Sequence, residues 1–319
     1  MFFWKSLSRP FFVLAPMEDV TDTVFRRIIA SCGRPDVFVT EFVNTDGMFS
    51  EGKDIVSQRL LYTEEERPLI AQVWGIHPES YFLAEKRIVE LGFDGIDINM
   101  GCPQKHVVHS GACAALIKNH ALTSEIILAT RRGIKDAGRV IPFSIKTRIG
   151  YNTIATEEWI GFLLSHHLDA LTIHGRTAKE MSKVPAHWDE IGKVVRLRDT
   201  ISPETVIIGN GDVKSREDGL QKAKEYGVDG IMIGRGIFEN PWVFENTQKE
   251  YSLHDRLELL QKHVELFTAT WQGRKPFQVI KKYFKIYVRN FDGAAELREK
   301  LMACDSAGEV HDVLKKARP

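Results

Sequence analysis

Eight short apolar runs punctuate the first three quarters of the chain, and charged segments separate them. The runs are Phe11–Pro16, Val37–Phe42, Leu69–Gly75, Gly95–Gly101, Pro142–Arg148, Ala170–Arg176, Thr205–Gly211 and Gly230–Gly236. They are rich in Val, Ile and Phe, side chains that suit a buried pleated surface. Between them, Pro78–Leu91, Ser124–Ala137, Thr156–His167 and Ser215–Tyr226 have the spacing of amphipathic helices. Alternating strands and helices predict βαβ units and a parallel sheet. Eight such units predict a closed (β/α)8 TIM barrel, with an open doubly wound sheet as the alternative.

The pattern changes after Gly236. Leu253, Leu257, Leu260, Val264, Phe267 and Trp271 recur at intervals of four and three, one face of a helix. Gly273 and Pro276 break it. A second helix is expected over Pro276–Asn290, and two more over Ala294–Cys304 and Ala307–Ala317. We therefore expect two domains, a catalytic barrel over residues 1–247 and a small all-α bundle over residues 248–319.

Composition adds little to this division. Lys and Arg number 43 against 43 Asp and Glu, so nothing global points to nucleic acid. From Tyr251 onward, however, 13 Lys and Arg face 9 Asp and Glu, and no acid occurs between Arg274 and Arg289. On a continuous helix, Lys281, Lys285 and Arg289 share one stripe beside Tyr283, Phe284 and Tyr287. That combination suits a phosphate backbone or, equally, an ordinary solvated face. The four cysteines form no Cys-x-x-Cys pair, and no Cys/His cluster has zinc spacing, so no metal is expected. Scattered cysteines suit a reducing cytosol. The N-terminus lacks a signal-peptide core, and no run approaches the ~20 apolar residues of a membrane span. The reading is a soluble, cytoplasmic monomer with no membrane partner.

Polar and glycine residues crowd the C-terminal ends of seven of the eight runs, as the catalytic face of a barrel requires. The fourth run ends in Asp97-Ile98-Asn99-Met100-Gly101-Cys102-Pro103. A thiol there can be a nucleophile, a metal ligand, a proton donor or core filler. The loop that follows, Gln104–Gly111, carries Lys105, His106 and His109 and is a candidate lid. Cys113 beyond it reads as helix packing. Asn210-Gly211-Asp212 and Gly234-Arg235-Gly236 fall where such barrels bind phosphate, and neither is a dinucleotide fingerprint. Lys146 is suited to a Schiff base, a phosphate or an anionic ring, and His174 to proton transfer or hydrogen-bond donation. Gln72 and Asn99 can read amide edges. A flat heterocycle bearing a phosphate fits this set, and FMN is the simplest example.

Together, Ala15-Pro16-Met17 with Thr21-Asp22, Gln72-Val73-Trp74-Gly75, the Asn99-to-Pro103 loop, Lys146-Thr147-Arg148, His174-Gly175-Arg176-Thr177, Asn210-Gly211-Asp212 and Gly234-Arg235-Gly236 resemble the tRNA-dihydrouridine synthases. The matches run in family order over about residues 11–245, and the helical appendage resembles the family's tRNA-binding domain in character. The resemblance implies an FMN enzyme that reduces the C5–C6 double bond of a uridine in tRNA, with NADPH as transient reductant. It implies flavin contacts at Pro16, Met17, Glu18, Gln72, Lys146, His174, Asn210, Gly211, Asp212, Gly234 and Arg235. Cys102 would be the proton donor. Asn99, Lys105, Arg148 and Arg176 would meet the substrate, and Lys281, Lys285 and Arg289 the tRNA. Ser182 and Val184 depart from the aromatic and glycine that the family commonly carries ahead of Ala186-His187-Trp188, so the target uridine is not legible. The alternatives are an FMN barrel oxidoreductase acting on a small molecule and a redox-inactive tRNA-binding protein.

Overall fold

The protein is described by a computed structural model over residues 3–247 and 249–317. Met1, Phe2, Gln248, Arg318 and Pro319, at the edges of the two expected domains, lie outside the described residues. Each of the eight runs forms a strand: β1 (Phe11–Leu14), β2 (Val37–Val39), β4 (Leu69–Trp74), β5 (Gly95–Met100), β6 (Phe143–Arg148), β7 (Ala170–His174), β8 (Val206–Asn210) and β9 (Gly230–Ile233). A ninth strand of two residues, β3 (Val43–Asn44), pairs with the end of β4. All pairings are parallel. The ladder runs β2, β4, β5, β6, β7, β8, β9, β1 and returns to β2, which closes an eight-stranded barrel.

Period-two alternation sorts each strand into an inner and an outer face. Phe11, Val13, Val37, Val39, Ile70, Ala170, Val206, Ile208 and Met232 form one buried cluster although they come from six strands. Only the barrel interior allows that. Trp4, packed within the same cluster, stoppers its N-terminal end. Further along the same face stand polar residues: Gln72, Asn99, Lys146, His174 and Asn210. Register aligns them, with Asn99 opposite Lys146 and His174 opposite Asn210. The interior therefore has an apolar floor and a polar mouth, and the mouth lies at the C-terminal strand ends.

By its internal contacts the chain divides into two compact units. One comprises Met1–Thr23 and Pro35–Gly236, and the other comprises Val24–Arg34 and Ile237–Pro319. The segment Val24–Arg34 joins the helical unit because Phe25 stacks on Tyr283 with ring centres 5.3 Å apart and lies 6.0 Å from His263. In that unit, helix Leu253–Trp271 spans the predicted apolar repeat and starts with a Ser252–Asp255 capping box. Helices Ala294–Ala303 and Ala307–Ala317 also form. The continuous helix expected over Pro276–Asn290 does not. It is two single turns, Gln278–Lys281 and Phe284–Tyr287. Ile280, Tyr283, Phe284, Ile286, Tyr287 and Val288 are all buried, which is more than one helical stripe can bury. The chain bends to bury them. No described helix is long and apolar enough to cross a membrane.

Candidate active site at the barrel mouth

A ladder of side-chain hydrogen bonds crosses the mouth from β6 to the Cys102 loop. Ser144 Oγ donates to Asp97 Oδ1 at 2.6 Å, and Gln72 Nε2 donates to Asp97 Oδ2 at 2.7 Å. Asn99 Nδ2 donates to Gln72 Oε1 at 3.0 Å. Asn99 Oδ1 in turn accepts the main-chain N–H groups of Gly101 and Cys102 at 3.0 and 2.9 Å. The Asp97 carboxylate can only accept while it is ionised. It therefore fixes which end of each amide faces which partner, and the last amide shapes the turn that presents Cys102. Burial pushes the Asp97 carboxyl up to about 6, against the two hydrogen bonds it receives. Gln72 and Asn99, expected to read a ligand edge, are buried and bond to each other, to Asp97 and to the Cys102 turn.

Cys102 is half-buried, and its thiol is lowered to about 7. The hydrogen bond from the Cys113 thiol is the largest cause, with further help from the Gln104 main chain and the Arg148 charge, against the effect of burial. Cys113 belongs to a small apolar cluster with Val107 and Ala112, on which Trp74, Ile76 and Cys102 pack. That cluster roots the expected lid, whose middle is a short helix, Lys105–His109, with Lys105 exposed.

The cations of the mouth fall into two groups. Arg148 and Arg176, expected to meet substrate, are buried and brace the protein. Arg148 donates to the carbonyls of Gly101 at 2.6 Å and of Thr177 and Met181 at 3.1 Å each. Arg176 donates to the Val184 carbonyl at 2.5 Å and pairs with Asp212. These carbonyl contacts hold the loop around Ser182 and Val184 by its main chain. Its departure in side chains from the family pattern therefore leaves its anchoring intact. Arg176 also donates from Nη1 to His174 Nε2 at 3.2 Å. A guanidinium has no lone pair to accept with, so His174 is neutral with its proton on Nδ1. Burial and the charges of Arg148, Lys146 and Arg176 hold it far below the usual histidine range.

Lys146 is different. Among the described residues its ammonium has no hydrogen-bond partner, and burial beside Arg148 pulls it down to about 8. Asp97 and Cys102 act in the other direction without bonding it, and a partly buried ammonium with no hydrogen bond calls for an acceptor. Arg235 stands exposed, and among the described residues its one ion pair is a 3.5 Å contact to Asp212. Asp212, expected to touch cofactor, is occupied by Arg176, the Ala186 N–H and Arg235. Asn210 donates to the Met232 carbonyl at 2.8 Å and ties β8 to β9.

The rim leaves room for a ligand. At Gly234 an added Cβ would touch only Ala15 at 3.5 Å and Met17 Sδ at 3.9 Å, which is ordinary contact. Gly211 is obligatory: its φ is +131°, and a Cβ there would come within 2.7 Å of Ala186. Trp188 Nε1 holds that turn through the Gly211 carbonyl at 2.9 Å. Pro16 and Met17 line the β1 exit, where Thr21 Oγ1 accepts the Met17 N–H at 2.9 Å, and Glu18 accepts from Arg59 at 2.5 Å. The open space at Gly234, the partnerless Lys146 and the exposed Arg235 fit a flat anionic ring that carries a phosphate. Lys281, Lys285 and Arg289 lie in the helical unit. Lys281 donates to the Met302 carbonyl and to Asp305, and Arg289 to the Phe238 carbonyl and Glu239. Lys285 is exposed.

Asp97 and Ser144 escaped the sequence reading. A usable signal was present, because each precedes a predicted site residue, Asn99 or Lys146, by two positions and so shares its face. The contact between Cys113 and Cys102 had no such signal.

The dihydrouridine synthase (Dus) family model matches residues 13–318. The chain is 46% identical over 315 residues to "Probable tRNA-dihydrouridine synthase 2" of Bacillus subtilis (strain 168), covering 98% of this chain and 95% of the relative. It is 44% identical to "Probable tRNA-dihydrouridine synthase" of Staphylococcus aureus (strain MRSA252), covering 98% and 94%. Among solved structures, histamine dehydrogenase from Rhizobium sp. 4-9 shares the fold at 12% identity and a TM-score of 0.54, over 80% of this chain and 48% of that one. Extending over nearly the whole chain, these matches mean that the protein belongs to the dihydrouridine synthase family.

Proposed function

We propose that this protein reduces the C5–C6 double bond of a uridine in tRNA to 5,6-dihydrouridine, acting as a cytoplasmic monomer with FMN bound in the barrel mouth and NADPH as transient reductant. The observation that carries the reading is the Cys102 turn: a thiol at the mouth, held by Asn99 through two main-chain bonds, beside a lysine with no hydrogen-bond partner among the described residues. FMN, when bound, supplies the electron pair that the uracil ring gains. The protein's own task is then to bind, orient and protonate.

Reduction at C6 leaves negative charge on C5 and O4 of the uracil. Cys102, as S–H, delivers its proton to C5. Lys146 sets a positive charge where the electron-rich ring of the cofactor would lie. His174, neutral and oriented by Arg176, offers its Nδ1–H as a fixed donor. Arg235, with the open turn at Gly234, suits the cofactor phosphate. The target uridine must leave its stack, which costs a few kcal/mol. Phosphate contacts by Lys105 and by exposed cations of the helical unit such as Lys285 offset that cost.

The test is to incubate unmodified tRNA with the protein, FMN and NADPH and score every uridine for reduction. Reduction confined to one position supports the reading. Tightly bound flavin that NADPH reduces, with every uridine untouched, would replace it with a small-molecule oxidoreductase.

A further inference from the structure

Cys113 has no part in the proposed reaction, yet its thiol lies against Cys102. It opens the turn Cys113–Lys118 at a φ of +51°, in the left-handed region, where a Cβ costs about 1–2 kcal/mol. Glycine would relieve that strain, and the chain instead carries a thiol there. The Ala114 N–H donates to the Cys102 carbonyl at 3.3 Å, so the two backbones run side by side at this point. Both side chains enter one apolar cluster with Val107 and Ala112. Within that cluster Cys102 packs against the core that Cys113 helps to form. A disulfide has a short reach, and backbones bonded this closely with both side chains in one cluster suit it.

We propose that Cys102 and Cys113 form a reversible disulfide when the protein meets a hydroperoxide such as hydrogen peroxide. The disulfide itself stands on the geometry alone. That it removes the proton donor from service, and shields it from irreversible oxidation, rests on the function proposed above. In the first step the Cys102 thiolate attacks a peroxide oxygen. An S–O bond forms, the O–O bond breaks, and the departing hydroxide takes a proton to become water. Cys113 sulfur then attacks the Cys102 sulfenic sulfur. The S–S bond forms, the S–O bond breaks, and the Cys113 proton leaves with the hydroxide as a second water. Two thiols lose two electrons, and the peroxide gains them.

The order of the steps follows from the two environments. Cys102 lies near 7, so much of it is thiolate at neutral pH, whereas burial pushes the Cys113 thiol well up. Cys32 and Cys304, buried in the helical unit, serve as internal controls, since burial raises both thiols.

The full chain is treated with hydrogen peroxide, unfolded under non-reducing conditions, alkylated and mapped by mass spectrometry. The expected product has lost about two hydrogen atoms in mass. It contains a peptide pair joined at Cys102 and Cys113, and a thiol reductant reverses both the linkage and the loss of dihydrouridine formation. In Cys113→Ser the linkage is absent, Cys102 proceeds to the sulfinate, and reductant no longer restores activity. Cys113→Ala gives the same result if serine perturbs folding at this buried position. Oxidised Cys102 beside a Cys113 that still alkylates fully would overturn the proposal, as would equal recovery of Cys113→Ser and wild type. A linkage in protein that never reduces tRNA would keep the disulfide and remove the functional reading. Reduction of tRNA by protein that never forms the linkage would do the reverse.

Discussion

In the barrel mouth the Lys146 ammonium meets no hydrogen-bond partner among the described residues, whereas in the helical unit Lys281 donates to the Met302 carbonyl at 2.9 Å and to Asp305 at 3.0 Å. Arg289 is likewise engaged by the Phe238 carbonyl and Glu239. Both regions look basic in sequence. They differ in how much of that charge the fold has already used. A cation bonded to its own chain contributes to stability, and a cation left without a partner is available to a ligand. The same division runs through the mouth itself. There Arg148 and Arg176 are spent on loop carbonyls and Asp212, while Lys146 has no hydrogen bond among the described residues and the exposed Arg235 reaches Asp212 at 3.5 Å.

The comparison breaks most sharply at Arg176. Arg176→Ala removes three contacts of a buried side chain and leaves Asp212, a third exposed, without its main partner. The expected loss is about 2–3 kcal/mol of stability, read from the denaturant midpoint. Lys146→Ala should do the opposite. Stability is unchanged or raised, because a partly buried unpaired charge is removed, while flavin affinity falls roughly tenfold to a hundredfold, the worth of one charge-assisted contact. Equilibrium titration with FMN beside a melting curve separates the two variants.

The pH dependence sharpens the electrostatic side. A proton donor works only as S–H, so turnover should be flat below about 7, where Cys102 keeps its proton. Above that value it should fall about tenfold per pH unit. Lys146 loses its charge near 8, and the slope should steepen there. In Lys146→Met the second bend should vanish and the first remain, as a pH–rate profile would register.

The smallest effects lie in the helical unit. Lys281→Ala is expected to cost about 1 kcal/mol of stability and to leave tRNA affinity nearly unchanged. Lys285→Ala should leave stability unchanged and reduce the salt slope of tRNA binding by about one. Filter binding across a salt series checks both, and an interchange of the two results would break the comparison.

The two regions also differed in how legible they were. The barrel was readable because eight runs of buried strand residues recur with polar ends. Motif residues as far apart in sequence as Gln72 and Asn210 then meet at one rim simply because each ends a strand. The bracing roles of Arg148, Arg176 and Asp212 were not readable. The arginines act on main-chain carbonyls of a loop and Asp212 on Arg176 and a main-chain N–H, and main-chain partners have no sequence signature. The Pro276–Asn290 segment misled for a different reason. Lys281, Lys285 and Arg289 have helical spacing, but six neighbours of the stripe are apolar or aromatic and are buried, and meeting that demand bends the chain after Lys281. Asp97 sat in plain view two positions before Asn99, where only the strand register reveals that it holds Gln72.

The central claim is that Cys102 supplies the proton that completes uridine reduction. The most direct measurement is a single turnover: protein carrying FMN already reduced by NADPH is mixed with unmodified tRNA, and flavin reoxidation is followed for wild type and Cys102→Ala. The account predicts equal flavin binding and equal reduction by NADPH in both proteins, with reoxidation by tRNA slowed about 10²- to 10⁴-fold in the variant. Reoxidation at the wild-type rate in Cys102→Ala would contradict it and would move the proton donor to another residue of the mouth.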